Sequence, residues 1–257
     1  MINVEKDLYP FVERFLIEKK NCFNDYVGNE LHMGSDKRMR ADIYGYSNNK
    51  DSKLIYLLEG KHYLDARKNF SKVLCEALPL LEYADHVYIF GISSNDFEKQ
   101  NKKYFEICKL LGIGILILDE YGEINEILVA KRNQLDEFDR KEVLFRIFLK
   151  GVKSPTANLI FQAVCEYIKL NRLENNCVQF IEVYQELFSK EEYKESLDHI
   201  FNSNFVLTDI GMRNAFEKEF GNSEFVKIQP MSRKVDDYIC ITQKGRELIR
   251  KSILIIE

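Results

Sequence analysis

The chain has 257 residues, of which 46% are hydrophobic and 30% charged, a composition typical of globular proteins. No apolar run approaches the roughly 20 residues that a membrane-spanning helix needs. The N-terminal residues include acids and do not form the apolar core of a signal peptide. We therefore expect a cytoplasmic protein with no membrane partner. Residues 1–150 carry 23 Lys and Arg against 25 Asp and Glu, and the remainder carries 14 against 16. This balance excludes a strongly basic nucleic-acid-binding block, although local basic patches remain compatible with it.

The first half has alternating helical and strand patterns. We predict, in chain order, a helix over 8–20, strands over 26–33, 39–46 and 54–59, a helix over 66–84 with a kink or early end at Pro79, a strand over 86–91, a helix over 95–111 and a strand over 113–119. The polar stretch from Ser47 to Lys53 indicates a β-hairpin between the second and third strands. The helix between the last two strands indicates a crossover and parallel pairing. The fold class is therefore α/β.

The second half is predicted to be mainly helical, and we divide the chain into domains of residues 1–133 and 134–257. The predicted elements are helices over 136–150, 157–170, 178–188, 190–201 and 209–220, strands over 225–229 and 238–242, and a closing helix that Thr242 caps.

The cysteines are predicted to be reduced core residues. No CxxC pair is present, most cysteines have apolar neighbours, and the four histidines are scattered, which argues against a zinc site. The six are Cys22, Cys75, Cys108, Cys165, Cys177 and Cys240.

Three charged residues in the predicted hairpin form the candidate catalytic cluster. Asp42 lies inside one strand, and Glu59 ends the next after five apolar residues. If that strand continues through Lys61, Glu59 and Lys61 share one face, because side chains alternate along a strand. A charge at this depth is costly without partners, so we predict that the three side chains converge.

Two carboxylates on neighbouring strands can bind a hard divalent cation. Asp42 and Glu59 are the predicted Mg²⁺ ligands, with the carbonyl of Gly60 as a further ligand and Mn²⁺ as a substitute. The missing side chain of Gly60 would leave room for a metal or a phosphate. Bound Mg²⁺ polarises a phosphodiester and lowers the pKa of a water, and Lys61 would orient that water or stabilise the phosphate charge.

The segments Arg40-Ala41-Asp42-Ile43-Tyr44 and Tyr56-Leu57-Leu58-Glu59-Gly60-Lys61 resemble the PD-(D/E)xK, or restriction-endonuclease-like, nuclease superfamily. The resemblance covers roughly residues 3 to 120, and the proline of the motif name is absent. It implies a mixed central sheet flanked by helices, with Asp42 and Glu59 as metal ligands and Lys61 as the catalytic lysine.

The resemblance also implies a further acid on the first helix and a polar residue on the helix after Lys61. Glu5 fits the first position best, and Glu13 is the alternative. Three residues are candidates for the second position without a ranking between them: Lys68, Lys72 and Glu76.

The end of the chain, from Tyr238 to Leu248, resembles the wing and closing helix of winged-helix domains. That resemblance implies a DNA- or partner-binding domain, and Arg233 and Lys234 could contact phosphates from its turn. We therefore predict a restriction or phage-defence type endonuclease acting on double-stranded DNA, for which a homodimer would explain double-strand cutting. The alternative is a non-catalytic DNA-binding or regulatory protein that retains the nuclease fold.

Overall fold

The computed structural model describes residues 2, 4–33, 40–49, 52–93, 97–149, 154–171, 173, 176–191, 193–194 and 208–253. It divides into two compact units. The first unit contains the residues up to His32 and those from Arg40 to Arg140, and the second continues from Lys141. Each unit has its own sheet.

A mixed six-stranded sheet forms the centre of the first unit. Its strands are β1 (Cys22–His32), β2 (Arg40–Asn49), β3 (Ser52–Tyr63), β4 (His86–Ile92), β5 (Gly114–Leu118) and β6 (Ile124–Leu128). The strands follow one another in chain order across the sheet. The β3–β4 and β4–β5 pairs are parallel, and the β1–β2, β2–β3 and β5–β6 pairs are antiparallel. The predicted hairpin and the predicted crossover are both confirmed.

The helices of the first unit include α1 (Tyr9–Lys20), α2 (Arg67–Ala77), α3 (Phe97–Gln100) and α4 (Lys102–Leu111). A 3₁₀ turn, Glu5–Leu8, leads into α1, which has Pro10 in its first turn and ends at Asn21 in the left-handed conformation. A second 3₁₀ turn, Leu78–Glu82, follows α2 and contains Pro79. The predicted early end at this proline is confirmed.

Several predicted boundaries are wrong. The helix expected over 95–111 is broken at Asn101, which precedes α4 with a non-helical backbone conformation. Strand β6 was not predicted, and β1 begins at Cys22 instead of Tyr26. Ser47 to Asn49 belong to β2 and Ser52 and Lys53 to β3, so the hairpin strands are longer than the polar composition indicated.

Different helices pack on the two faces of the sheet. One face, which includes Ile43, Leu58 and Phe90, packs in the same core cluster as α1. Helix α2 packs against β3 and β4 through a buried side that contains Phe70 and Val73. The first unit is therefore an α/β structure with helices flanking a mixed sheet.

The second unit combines helices with a small antiparallel sheet. Its elements are α5 (Glu137–Phe148), which spans the division between the units, α6 (Pro155–Leu170), β7 (Cys177–Gln179), α7 (Phe180–Ser189), α8 (Asp209–Phe220), β8 (Val226–Gln229), β9 (Tyr238–Ile241) and α9 (Gln243–Ile253). The sheet order is β7–β9–β8. The hydroxyl of Thr242 accepts a hydrogen bond from the Gly245 amide at 3.2 Å, so the predicted cap is confirmed.

Two expectations for the second half need correction or lie outside the described residues. The segment predicted as a helix from Val178 begins as strand β7. Most of the helix predicted over 190–201 lies outside the described residues.

The expectation of six reduced core cysteines is wrong. Cys177 and Cys240 face each other on neighbouring strands and form a disulfide, and Cys75 is exposed. Cys22, Cys108 and Cys165 are buried free thiols, as predicted. The disulfide depends on the pairing of β7 with β9, and two cysteines that are separated by 63 positions in sequence give no local signal of it.

Across the part of the chain that the structure describes, no helix combines the length and the apolar character that crossing a membrane requires.

Candidate active site

The register of the β2–β3 hairpin brings Asp42 beside Glu59. Ile43 pairs with Leu58, and continuing this antiparallel register by one residue sets Asp42 opposite Glu59. Strand β3 continues past Glu59 to Tyr63. Leu58 faces the α1 side of the sheet, so Glu59 and Lys61 share the opposite face. The structure therefore brings together the three residues of the predicted cluster.

Asp42 is buried, with 3% of its surface exposed, and it has several polar partners. Its Oδ2 accepts a hydrogen bond from the Gly60 amide at 2.9 Å, and its Oδ1 lies 3.4 Å from Nη2 of Arg40. The Tyr9 hydroxyl also hydrogen-bonds to Asp42. These donors hold the carboxylate in one orientation and compensate for the loss of water around it.

Glu59 is buried against the Asp42 carboxylate. Only 5% of its surface is exposed, and it shares a hydrogen bond with Asp42. Burial raises the pKa of Glu59 strongly, the hydrogen bond to Asp42 and the charges of Asp42 and Glu76 raise it further, and Lys61 offsets only part of this. Because two like charges at this distance cannot both be ionised without compensation, the pair retains a proton when no cation is bound.

Lys61 is held by three oxygen groups. Its Nζ donates to the Gly60 carbonyl at 2.8 Å, forms an ion pair with Oε2 of Glu76 at 2.9 Å, and lies 3.6 Å from Oε2 of Glu5. Burial would lower the pKa of Lys61, but Glu76, Glu5 and Asp42 outweigh it and raise the pKa. The side chain therefore remains an ammonium group beside the two carboxylates.

Glu5 reaches the cluster from the 3₁₀ turn that precedes α1. Burial raises the pKa of Glu5, Lys61 lowers it, and Asp42 raises it again. Glu13, the alternative, instead accepts a hydrogen bond from Asn29 at 3.2 Å. Of the two acids considered, the structure places Glu5 with Asp42 and Lys61.

Helix α2 contributes Glu76 to the cluster. Its carboxylate pairs with Lys61 through one oxygen and lies 3.8 Å from Nζ of Lys72 through the other. Lys68 and Lys72 are exposed. The three candidates on this helix are thus distinguished by geometry, with Glu76 in direct contact with Lys61.

The reason given for Gly60 from sequence is wrong. A Cβ at Gly60 would collide with the ring of Phe90, its partner on β4. The space that the missing side chain leaves is filled by that ring and is not available to a metal or a phosphate. The Gly60 carbonyl, by contrast, has a second lone pair beside the one that accepts from Lys61.

Sequence reasoning missed Tyr9 and Arg40 as partners of Asp42. Tyr9 lies four residues after Glu5, which places the two on one side of the helical segment, and this spacing is a signal for its position. Its ring also packs edge-on against Phe90, with the ring centroids 6.0 Å apart. Arg40 lies two residues before Asp42 on β2 and shares its face.

The donor set fits a hard cation with few protein ligands. Among the described residues, no group of three or more His, Cys, Asp or Glu side chains has the arrangement of a metal site. Mg²⁺ commonly uses one or two carboxylates and keeps several waters. Asp42 and Glu59 supply two carboxylates, and Gly60 supplies a carbonyl. The proton that the two carboxylates share is a positive charge that a bound cation would displace.

Asp85 is a second buried acid in the first unit, and its partners give it a structural role. Both of its oxygens bind the guanidinium of Arg140, at 2.6 and 2.9 Å, and it accepts a hydrogen bond from the Ile55 amide at 2.8 Å. With its charge neutralised by a bidentate pair, Asp85 anchors β3 and does not belong to the cluster.

In the second unit, the basic residues between β8 and β9 already have acidic partners. Arg233 forms two hydrogen bonds with Asp236, at 2.7 and 3.0 Å. Lys234 contacts Glu217 and Asn214, both at 3.1 Å. These pairs partly neutralise the cations that the sequence offered for phosphate contact.

No protein-family model matches this chain, and neither the curated proteins nor the solved structures contain a significant match to it.

Proposed function

We propose that this chain is a metal-dependent nuclease that hydrolyses phosphodiester bonds, with double-stranded DNA as its substrate. The observation that carries the proposal is the buried pair of Asp42 and Glu59 with the Lys61 ammonium held beside it. Such a group has no role in stabilising the fold that apolar residues would not serve better, since buried like charges are costly.

Asp42 and Glu59, with the Gly60 carbonyl, are the residues that would hold Mg²⁺ or Mn²⁺. When bound, the ion supplies a Lewis acid that polarises the phosphodiester and lowers the pKa of a water. The hydrogen bonds from Gly60, Tyr9 and Arg40 fix the orientation of Asp42 before the cation arrives. Glu59 gives up its proton on binding, so cation affinity rises with pH.

Lys61 carries the charge-stabilising role. Its ammonium group lies on the same strand face as Glu59, where the charge on a phosphate would develop. Glu76 and Glu5 position that ammonium group and keep it protonated, and burial in the site strengthens its interaction with an anion. We therefore assign Asp42, Glu59 and Lys61 to the reaction centre, together with Glu5, which also helps to position Lys61, whereas Glu76 has a positioning role alone.

We also propose a fold family for each unit and a biological role for the protein. The mixed sheet and the hairpin motif support a restriction-endonuclease-like first unit, and the order of β8, β9 and α9 supports a winged-helix-like second unit that binds DNA or a protein partner. A restriction or phage-defence endonuclease suits these features. A homodimer would give the two active sites that double-strand cutting needs.

Plasmid cleavage in Mg²⁺ or Mn²⁺ tests the proposal. Wild type should nick or linearise the plasmid, and Lys61→Ala should lose at least about 100-fold in rate, the usual cost of removing one charge-stabilising group. Lys19→Ala, which removes an exposed lysine of α1, is the matched control and should retain the wild-type rate. If wild type cleaves neither plasmid nor linear, branched or single-stranded substrates, the non-catalytic DNA-binding alternative replaces this one.

A further inference from the structure

An exposed basic surface lies on α2 beside the carboxylate cluster. We call the side chains of Arg67, Lys68 and Lys72 the α2 basic surface. All three are exposed, and the side chain of Lys72 is 63% accessible. The remaining outward positions of α2 carry no acid until Glu76.

The basic surface leads directly to the candidate reaction centre. Lys68, Lys72 and Glu76 are spaced four residues apart, which places them along one side of the helix. Nζ of Lys72 lies 3.8 Å from Oε1 of Glu76, whose other oxygen lies 2.9 Å from Nζ of Lys61. A chain of alternating charges therefore connects the exposed lysines to the buried ammonium group.

Two of these cations, Arg67 and Lys68, do not stabilise the helix that carries them. Arg67 and Lys68 occupy the first turn of α2, which contains no acidic residue, and positive charge there opposes the helix dipole. Among the described residues, neither of them has a carboxylate within ion-pair distance. Residues that destabilise their own helix are expected where the surface has a binding function.

We propose that the α2 basic surface binds the phosphate backbone of the DNA strand that enters the reaction centre. This inference rests on the proposed nuclease function and adds the residues that would guide the substrate. Exposed cations supply most of the affinity for a polyanion, and Arg67 and Lys68 are exposed here without an acidic partner among the described residues. In a chain with a net charge of −4, they also oppose the repulsion between DNA and the acidic site.

The test is DNA binding as a function of salt, measured by fluorescence anisotropy with a labelled duplex in EDTA, where cleavage cannot occur. Lys68→Gln/Lys72→Gln is compared with wild type. We expect weaker binding at low salt and a slope of log affinity against log salt that is shallower by about 2, because two phosphate contacts are lost.

The matched control is Lys19→Gln/Lys109→Gln, which removes two exposed lysines from α1 and α4 and changes the net charge equally. It should keep the wild-type slope. Equal slopes for all three proteins, an equal loss in both variants, or no binding by wild type would each overturn the inference. Thermal denaturation of Lys68→Gln/Lys72→Gln should match that of wild type.

Cleavage by the same samples in Mg²⁺ separates the two proposals. Binding through α2 without cleavage by wild type would contradict the nuclease function and leave the α2 surface standing. If wild type cleaves DNA and Lys68→Gln/Lys72→Gln keeps the wild-type salt slope, the nuclease function is supported and the role of the α2 basic surface is contradicted.

Discussion

At the residue scale, the chemistry of the site depends on how one carboxylate is fixed and the other is left short of partners. Asp42 receives a backbone amide, the Arg40 guanidinium and the Tyr9 hydroxyl. Glu59 shares a hydrogen bond with Asp42 itself, and burial raises the pKa of Glu59. Because Glu59 has fewer partners than Asp42, the pair keeps a proton. A divalent cation can displace that proton, so metal binding is coupled to proton release.

We expect Glu59→Gln to make the metal-free protein more stable at neutral pH. Folding raises the pKa of Glu59 above its ordinary value of 4.5. Protonated Glu59 therefore stabilises the folded protein fully below pH 4.5, and this stabilisation is lost as the pH rises towards the raised pKa. The free energy of unfolding of wild type should therefore fall relative to the variant between pH 5 and pH 8, by about 1–3 kcal/mol.

Urea denaturation in EDTA at several pH values measures this difference. Adding Mg²⁺ should restore stability to wild type and leave Glu59→Gln nearly unchanged, since only wild type retains both carboxylates. Parallel pH profiles for the two proteins would contradict the assignment of a shared proton.

Tyr9→Phe should weaken divalent cation binding while preserving the fold. The variant removes the hydroxyl that donates to Asp42 and keeps the ring that packs on Phe90. Loss of such an outer partner typically costs about 10–100-fold in metal affinity. Calorimetric titration with Mn²⁺ checks the prediction, and Tyr121→Phe, which alters an 85% exposed tyrosine, is the control. Equal affinities for Tyr9→Phe and wild type would refute a positioning role.

At the scale of elements, the sequence was sufficient where a pattern is local. The continuous apolar runs predicted β4 and β5, and the alternation of side chains along β3 predicted that Glu59 and Lys61 share a face. β6 was missed because Ile124–Leu128 is an edge strand of mixed polarity, with intermediate burial at most positions. It carries no long apolar run to distinguish it from a loop.

What the sequence could not supply depends on neighbours from distant segments. Gly60 is a glycine because of Phe90 on the adjacent strand, and Glu76 was distinguished from Lys68 and Lys72 only when α2 packed on β3. The hydrogen bond from Tyr9 to Asp42 joins α1 to β2 in the same way. These contacts follow from the tertiary arrangement and have no local signature.

The disulfide between β7 and β9 gives a prediction at the same scale. Its two cysteines are 63 residues apart in sequence, so the link restricts the unfolded chain, and its removal should cost about 2–4 kcal/mol. Thermal denaturation with a reductant should show a lower Tm, and Cys177→Ser should show the same decrease without one. Cys75→Ser, at an exposed free thiol, should leave the Tm unchanged. Finding six reactive thiols in the unreduced, denatured protein would contradict the link.

At the scale of the whole molecule, the central question is how an acidic protein would act on a polyanion. The net charge of −4 includes the carboxylates that gather around Lys61, and a bound divalent cation would offset much of the negative charge at that site. The α2 basic surface would add positive charge beside the reaction centre. Activity should accordingly decline steeply with ionic strength.

The most direct test of the account is a crystal structure of the protein soaked in Mn²⁺, with the ion located by its anomalous scattering. We predict a peak about 2.0–2.2 Å from one oxygen each of Asp42, Glu59 and the Gly60 carbonyl, and no such peak in Asp42→Asn crystals. A wild-type peak away from these oxygens, or none at a saturating concentration, would contradict the claim that this pair of carboxylates binds a catalytic cation.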